Sequence, residues 1–586
     1  MLKPTLSASG IAHQPGTFET LTDALDYAAT GQSGVNFYSA DGELYAPVTY
    51  AALRAQSIAL AYKLAATFPR GAHIGLIAET SPSFLIAFMA CQYAGMIPAP
   101  MSLPVAFGGR DAYKWQIARM ARTAALDAVL TPHEFSELVG NVMAEQGVAV
   151  YELSGDDLKN GTVPPIPHRA NEPAYLQFSS GSTSDPKGIF ATQKSVMANV
   201  HAITNEGLMI TANDRMASWL PFYHAMGIVG FFIVPMCNQS SLDYISPTTF
   251  ARRPGIWMRT ISENRCTITY SPSFGYGLAA RRYRGDDLDL SCLRVAGIGG
   301  DMIEHDVLDR FTEAFGKSGF RHEAFVASYG MAEVTLAASF APLNIGPRLD
   351  PVDLSKLQTR AKADPAKLDA KKRRVFTACG SPLPSLNVRI LNSTGQQVAP
   401  REIGRVMLKG PSLAAGYFRA GEGLESIGDK EGWFETGDLG YWLDDELVIT
   451  GRSKDLMLWN GKNIWPQDLE WVAQKTGGKR VSRTAAFDIQ EVDGASKVML
   501  LVECGLQDKD ARAEIKQEIM NAVRNVIGVP FELDFVVMRS LPVTSSGKLS
   551  RAGARVRYLN GQLTGVAANK DDPIRPRVDG RSTNAI

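Results

Sequence analysis

Two rhythms of apolar and polar residues divide this chain. Over the first 330 residues, stretches with apolar positions at helical spacing alternate with short apolar runs, which predicts layered α/β structure. Val48–Leu53 opens a helix running to about Ala66, with apolar Leu53, Ile58, Leu60, Ala61 and Leu64. His73–Ala78 reads as a buried strand, and Ser81–Tyr93 as a helix stopped by Gly95. Ala174–Phe178 is an expected strand and Gln193–Asn205 an expected helix. From Val375 to Ile449 the rhythm shortens to alternating strands (Asn387–Leu391, Gly404–Leu408, Glu446–Ile449), as in a small β-barrel. After Gly451 a compact α+β module is expected: a helix near Pro466–Gln474, a strand at Val498–Cys504 and a helix at Asp508–Ile527. No internal repeat is visible, and the Asp-, Arg-, Pro- and Asn-rich last twenty residues read as a disordered tail.

Length and composition narrow the class. At 586 residues the chain exceeds what one hydrophobic core supports, so two or more domains are expected. Its 60 basic and 60 acidic residues balance, which argues against nucleic acid or an anionic membrane surface as the main partner. The most apolar stretches are Phe84–Met101, broken by Gln92, Gly95, Pro98 and Pro100, and Met226–Met236, which is too short to span a bilayer. Both read as buried core, and no stable membrane insertion is expected. Cys91, Cys237, Cys266, Cys292, Cys379 and Cys504 form no C-x-x-C pair, and the N-terminus lacks a signal pattern. A reduced, zinc-free, cytoplasmic protein is the expectation.

Candidate chemistry begins at Phe178-Ser-Ser-Gly-Ser-Thr-Ser-Asp-Pro-Lys187-Gly188. Small residues let backbone N–H groups turn toward an anion and hydroxyls add donors, so such a loop can wrap phosphates. It is not a Walker A loop, because here the lysine precedes the glycine. Alone, the run would serve equally well as an ordinary flexible turn. Four motifs follow it: Tyr329-Gly-Met-Ala-Glu333, Trp433-Phe-Glu-Thr-Gly-Asp438, Gly451-Arg-Ser-Lys-Asp455 and Pro542-Val-Thr-Ser-Ser-Gly-Lys548.

In order and approximate spacing these five motifs resemble the adenylate-forming superfamily of acyl-CoA synthetases, luciferases and nonribosomal-peptide adenylation domains, over roughly residues 20–565. The resemblance implies an α/β protein: a large N-terminal domain (1–451) of two layered α/β subdomains plus a small β-barrel, a smaller mobile α+β lid domain (452–565), and the tail (566–586). It implies ATP and Mg²⁺, with Ser180, Gly181, Ser182, Thr183, Ser184 and Lys187 around the phosphates, and Thr183 and Glu333 facing the metal. Tyr329, with Gly330, Met331 and Ala332, would pack on the adenine, and Gly299-Gly300-Asp301 would line its other side. Asp438 would accept the ribose hydroxyls, Arg452 would add a second ribose contact, and Lys454 would be the hinge. A carboxylic acid is already ionised at neutral pH, so its attack on the α-phosphate needs charge cancellation and alignment rather than a general base. Lys548 matches the lysine that bridges the two anions, and His224 one that positions the acyl carboxylate.

Three features point to the fatty acyl-AMP ligase branch. Trp219-Leu-Pro is followed by His224-x-Met226-Gly227, and Arg253-Pro, Trp257 and Tyr270-Ser-Pro-Ser273-Phe274-Gly-Tyr276 resemble its pocket segment. The 43 residues between Thr335 and Cys379 are charged and resemble that branch's insertion, thought to hinder the CoA-using domain arrangement. The expected reaction activates a medium- or long-chain fatty acid to acyl-AMP and passes it to the phosphopantetheine thiol of an acyl carrier protein in trans; the alternative is an acyl-CoA synthetase. Ser184, Ala225, Ser273, Gly300-Asp301 and Arg405 depart from the usual residues, and none removes a group that adenylation requires.

Overall fold

The computed structural model describes residues 9–103, 109–179, 186–285, 287–367, 369–370, 372–490, 496–543 and 548–563. The expected tail, 566–586, and Ser180, Gly181, Ser182, Thr183 and Ser184 lie outside the described residues.

Helix boundaries follow local chemistry. Ser81 caps the helix Pro82–Ala94 by accepting from the Phe84 N–H, proline fills its first turn, and Gly95 ends it at φ +66°. That helix buries Phe84, Leu85, Phe88, Met89 and Tyr93, each worth about 1.5–3 kcal/mol when fully withdrawn from water. Thr49 caps Tyr50–Thr67 in the same way, and its Leu53, Leu60, Ala61 and Leu64 are buried. The helix expected from Gln193 is regular to Ala202 and ends in a π turn, Ile203–Gly207.

The apolar runs become parallel strands covered on both faces. A nine-stranded sheet has a parallel centre in the order Phe325–Gly330, Val295–Ile298, Ile268–Ser271, Met216–Ser218, Leu242–Ile245 and Gly34–Tyr38, with antiparallel strands at both edges. A second, parallel sheet orders Ile97–Met101, His73–Ile77, Ala128–Thr131 and Ala149–Glu152. A third, antiparallel, runs Gly423–Ser426, Gly416–Arg419, Gly188–Thr192, Pro173–Phe178.

The segment expected to form a small barrel is an antiparallel four-stranded sheet: Asn387–Leu391, Gly404–Lys409, Phe434–Leu443 and Glu446–Arg452. Its last edge is covered rather than closed on its first strand. The Cys379 N–H donates to Leu447 O and the Leu447 N–H to Gly380 O, and Gly380 turns the chain at φ +75°.

Beyond it lies the small α+β domain. A three-stranded sheet (Val481–Gln490, Ser496–Cys504, Glu532–Val536) packs with the helices Pro466–Gly477, Lys509–Ile527 and Arg551–Leu559. The six cysteines form no disulfide. Among the described residues no helix is long and apolar enough to cross a membrane.

Candidate active site

The two ends of the Ser/Gly loop are pinned together. The Ser179 N–H donates to Lys187 O at 2.9 Å, and the Lys187 N–H donates to Ser179 Oγ at 3.2 Å. On the strand leading into the loop, buried Gln177 donates from Nε2 to Tyr223 O at 2.7 Å, which ties the loop to the segment carrying His224.

Glu333 sits on a 3₁₀ turn, Ala332–Val334, just beyond the strand Phe325–Gly330. Only glycine fits at 330, because a Cβ there would lie 1.9 Å from Leu336 O. Met331 is extended, and the Glu333 carbonyl accepts from the Ala414 N–H. The Tyr417 hydroxyl donates to Glu333 Oε1 at 3.1 Å, and the Lys187 ammonium lies 4.1 Å from the centre of the same tyrosine ring. Burial raises the Glu333 carboxyl above its ordinary range. A carboxylate is the kind of hard oxygen donor that magnesium takes, and Glu333 is the one described residue of the expected pair that could supply it. No group of three His, Cys, Asp or Glu capable of holding a metal occurs among the described residues, so phosphate oxygens would supply most of the ligands.

Tyr329 and Asp438 meet across 109 residues of sequence: the Tyr329 hydroxyl donates to Asp438 Oδ2 at 2.7 Å. Arg452, opposite Asp438 in the antiparallel pair, brings Nε to 3.5 Å from Oδ1. Burial raises the Asp438 carboxyl, and Arg452 opposes the shift. Gly299 closes against Ser328 with no room for a Cβ, and Gly300 turns at φ +77°. Lys548 donates to the Gly300 carbonyl, which carries a small-domain lysine into the cleft of the large domain. The Met226 methyl lies 3.0 Å from where a Cβ on Gly300 would stand. The Asp301 carboxylate turns back to accept from the Met302 N–H, and Ser273 Oγ accepts from the Glu304 N–H.

His224 opens a short helix, Ala225–Ile228, with its carbonyl accepting from the Gly227 and Ile228 N–H groups. Gly227 approaches Pro221 O too closely for any side chain. Trp219 is buried, stacked on Phe250 at 3.8 Å and edged by Trp257 and half-exposed Phe274. Tyr276 is fully buried against Trp257, Phe311 and Phe325, and its hydroxyl donates to Gly297 O. Lys548, Gly300 and Met226 therefore converge, whereas Trp219 and Tyr276 belong to an aromatic cluster built around Trp257. Lys454 is exposed on the 3₁₀ turn Ser453–Asp455.

The long charged stretch after Thr335 is packed against both domains through its described residues. Its hairpin, Leu349–Asp353 with Arg373–Thr377, and the helix Leu354–Arg360 bury Val352, Leu354, Leu357 and Phe376 together with Tyr441 and Val448 of the large domain and Trp465 of the small one. Gln358 Nε2 reaches Ile527 O, and buried Arg374 pairs with buried Asp468 at 3.0 Å.

Sequence reading missed Gln177, Tyr417 and the burial of Arg374. Tyr417 follows Gly416 on a strand whose partner is the strand leaving the phosphate loop, a signal visible only after pairing.

The Tyr329–Asp438–Arg452 group and the contact of Lys548 with Gly300 bring four of the five expected motifs together. The sequence profile of the AMP-binding enzyme family matches residues 28–418, and the chain belongs to that family. It is 43% identical over 96% of its length, and 98% of the relative, to a Caulobacter vibrioides protein named "Putative acyl-CoA synthetase". It is 29% identical over 93% of its length, and 96% of the relative, to JamA of Moorena producens, a medium-chain-fatty-acid–[acyl-carrier-protein] ligase. A solved structure from work on the fatty acyl-adenylate ligases of E. coli and L. pneumophila superposes with TM-score 0.89 at 37% identity, covering 94% of this chain and 99% of that one.

Proposed function

We propose that the protein is a fatty acid ligase of the cytoplasm that forms an acyl adenylate from ATP, releases pyrophosphate, and then acylates the phosphopantetheine thiol of a carrier protein acting in trans. The observation that carries the reading is the contact of Lys548 with Gly300 O, beside the Tyr329–Asp438–Arg452 group. An ammonium there can lie between a fatty carboxylate and the α-phosphate as one carboxylate oxygen bonds to phosphorus and the bond to pyrophosphate breaks. Asp438 suits the ribose hydroxyls, because an ionised carboxylate only accepts. Lys187 and the Ser180–Ser184 loop suit the phosphates, and Glu333 with Thr183 would hold magnesium, which when bound neutralises phosphate charge. His224 and Met226 suit the acyl carboxylate and the start of the chain.

For the second step we assign 1–451 and 452–565 as the two domains, with the hinge at Lys454. The packing of Val352, Leu354, Leu357 and Phe376 with Trp465, and of Gln358 with Ile527, ties the stretch that resembles the ligase branch's insertion to the small domain, which supports a carrier rather than CoA as acceptor. The name carried by the Caulobacter relative favours CoA instead.

Mass analysis of the purified protein with ATP, magnesium and a panel of fatty acids separates the two readings. Acyl-AMP that persists with CoA and is consumed by a phosphopantetheinylated carrier is the expected result. Rapid acyl-CoA formation would make the protein an acyl-CoA synthetase.

A further inference from the structure

We infer that Arg551 is a positioning residue that sets where Lys548 stands, an inference that rests on the adenylation role proposed for that lysine. Two residues separate the two, and the backbone around them is tightly held. Val543 and Leu549 form an isolated antiparallel bridge, the Ser550 N–H donates to Pro542 O, and the Ser550 side chain caps the helix that Arg551 begins. The Arg551 guanidinium, only 19% exposed, reaches in two directions from this point. Nε and Nη2 grip both oxygens of Glu470 at 2.8 and 2.7 Å, and Nη1 meets Asp455 Oδ2 at 2.8 Å. A bidentate fork fixes direction as well as distance, which an ammonium cannot do.

What lies at the other ends of these pairs gives the arrangement its meaning. Asp455 directly follows Lys454, the proposed hinge. Glu470 lies on Pro466–Gly477, the helix that also grips the large domain, through Asp468 to Arg374 and through Lys475 to Asp306 at 3.2 Å. Glu470 is itself fixed, because its Oε1 also accepts from the Ala486 N–H at 3.0 Å. Ion pairs therefore run from the large domain to this helix and from the helix to Arg551, just beyond the Lys548 that meets Gly300. Lys548 is thus referenced to the docked position of the small domain, and Arg551 is the joint.

A turn of the small domain about the proposed hinge would take Lys548 away from Gly300, so such a joint matters for adenylation and not for the acyl transfer that follows the turn. The test uses the full chain as Arg551→Met, Arg551→Lys and Glu470→Gln, with two assays. One follows pyrophosphate release from ATP and fatty acid. The other follows consumption of supplied acyl-AMP with CoA and with a phosphopantetheinylated carrier. A displacement of about 1 Å at a reacting group can lower a rate by about 10²-fold. Arg551→Met should therefore cut kcat for pyrophosphate release by about that factor at unchanged KM for ATP, while acyl-AMP consumption stays within about threefold of wild type. Arg551→Lys and Glu470→Gln should fall between. A merely structural role would lower both assays together and the melting temperature with them, which would overturn the inference. Wild-type pyrophosphate release in folded Arg551→Met, beside a dead Lys548→Ala control, would overturn the positioning role alone. Wild-type release in Lys548→Ala would overturn the lysine's assignment itself, and this inference with it.

Discussion

Arg215 and Arg374 are both buried arginines paired with a buried aspartate, the first inside the central sheet and the second across the junction of the two domains. Arg215 holds Asp243 by two hydrogen bonds, at 2.6 and 2.8 Å, and Asp243 also accepts from Asn36 Nδ2 and the Tyr38 hydroxyl at 3.0 Å and from Cys266. Arg374 touches Asp468 at one point, gives one hydrogen bond to Thr450 O, and otherwise lies over the faces of Phe376, Trp465 and Trp471. Arg374 Nε and Asp468 Oδ2 lack hydrogen-bond partners among the described residues. A desolvated ion pair stabilises only when its remaining lone pairs and protons are satisfied. The first pair meets that condition and belongs to a core that opens only by unfolding. The second falls short of it, which suits a junction that the proposed second step needs to open.

The largest break in this comparison should come from the core. Asp243→Ala leaves Arg215 charged and buried with no escape short of unfolding, and should lower stability by about 3–5 kcal/mol in urea unfolding of the full chain. A loss under 1 kcal/mol would put the two pairs on the same footing. On the junction side, Lys548→Ala should leave the melting temperature unchanged and slow acyl-AMP formation by about 10²–10³-fold. A parallel loss of stability would mean that the lysine is holding the domains rather than serving the reaction.

Arg374→Met should act more gently than the core change, because undocking returns Asp468 to water. Cleavage by trypsin near Arg452 and Lys454 should rise about tenfold, equivalent to about 1.4 kcal/mol, with the global unfolding midpoint unaltered. A fall in that midpoint matching Asp243→Ala would erase the distinction.

The smallest effect is in pH. Burial pushes the Asp468 carboxyl up to about 6, against the pull of Arg374 and with some help from Glu470. The docked state therefore binds more protons than the undocked one between about pH 4 and 6, since an ordinary aspartate titrates near 3.9. Docking should strengthen as pH falls through 6 and be weakest above it. Asp306, paired with Lys475, is held below its ordinary range although burial pulls the other way, so it would weaken docking only at still lower pH. Trypsin protection of the hinge measured from pH 7.5 to 5 should increase, and Asp468→Asn should flatten the curve. Protection that falls with acid would contradict this account.

Much of the candidate site was legible as motifs because each motif is contiguous. A Ser/Gly loop, the turn carrying Glu333 and the lysine of Ser-Gly-Lys548 each carry their chemistry in neighbouring residues, and glycines such as Gly330 mark turns that admit no side chain. The α/β layering was legible for the same reason, from apolar runs and from caps such as Ser81 and Gly95. The expected barrel was less so: strand lengths could be read, but not that the chain at Cys379–Gly380 covers the sheet edge in place of closure. Tyr417 was passed over because its meeting with Glu333 spans 84 residues and depends on which strand pairs with Gly188–Thr192.

The sequence by itself determined the order of the motifs, the family they resemble and the side chains available for charge cancellation around a nucleotide. Those are properties of residue type and short spacing, where backbone sterics and chain connectivity leave few alternatives. Only the tertiary structure decided that Arg374, in a stretch that reads as charged, is buried at the domain junction, and that Arg551 joins the segment carrying Lys548 to the helix gripping the large domain. Whether a charge is screened by water or held by a partner depends on what the fold packs around it, and that surrounding comes from segments far apart in the chain.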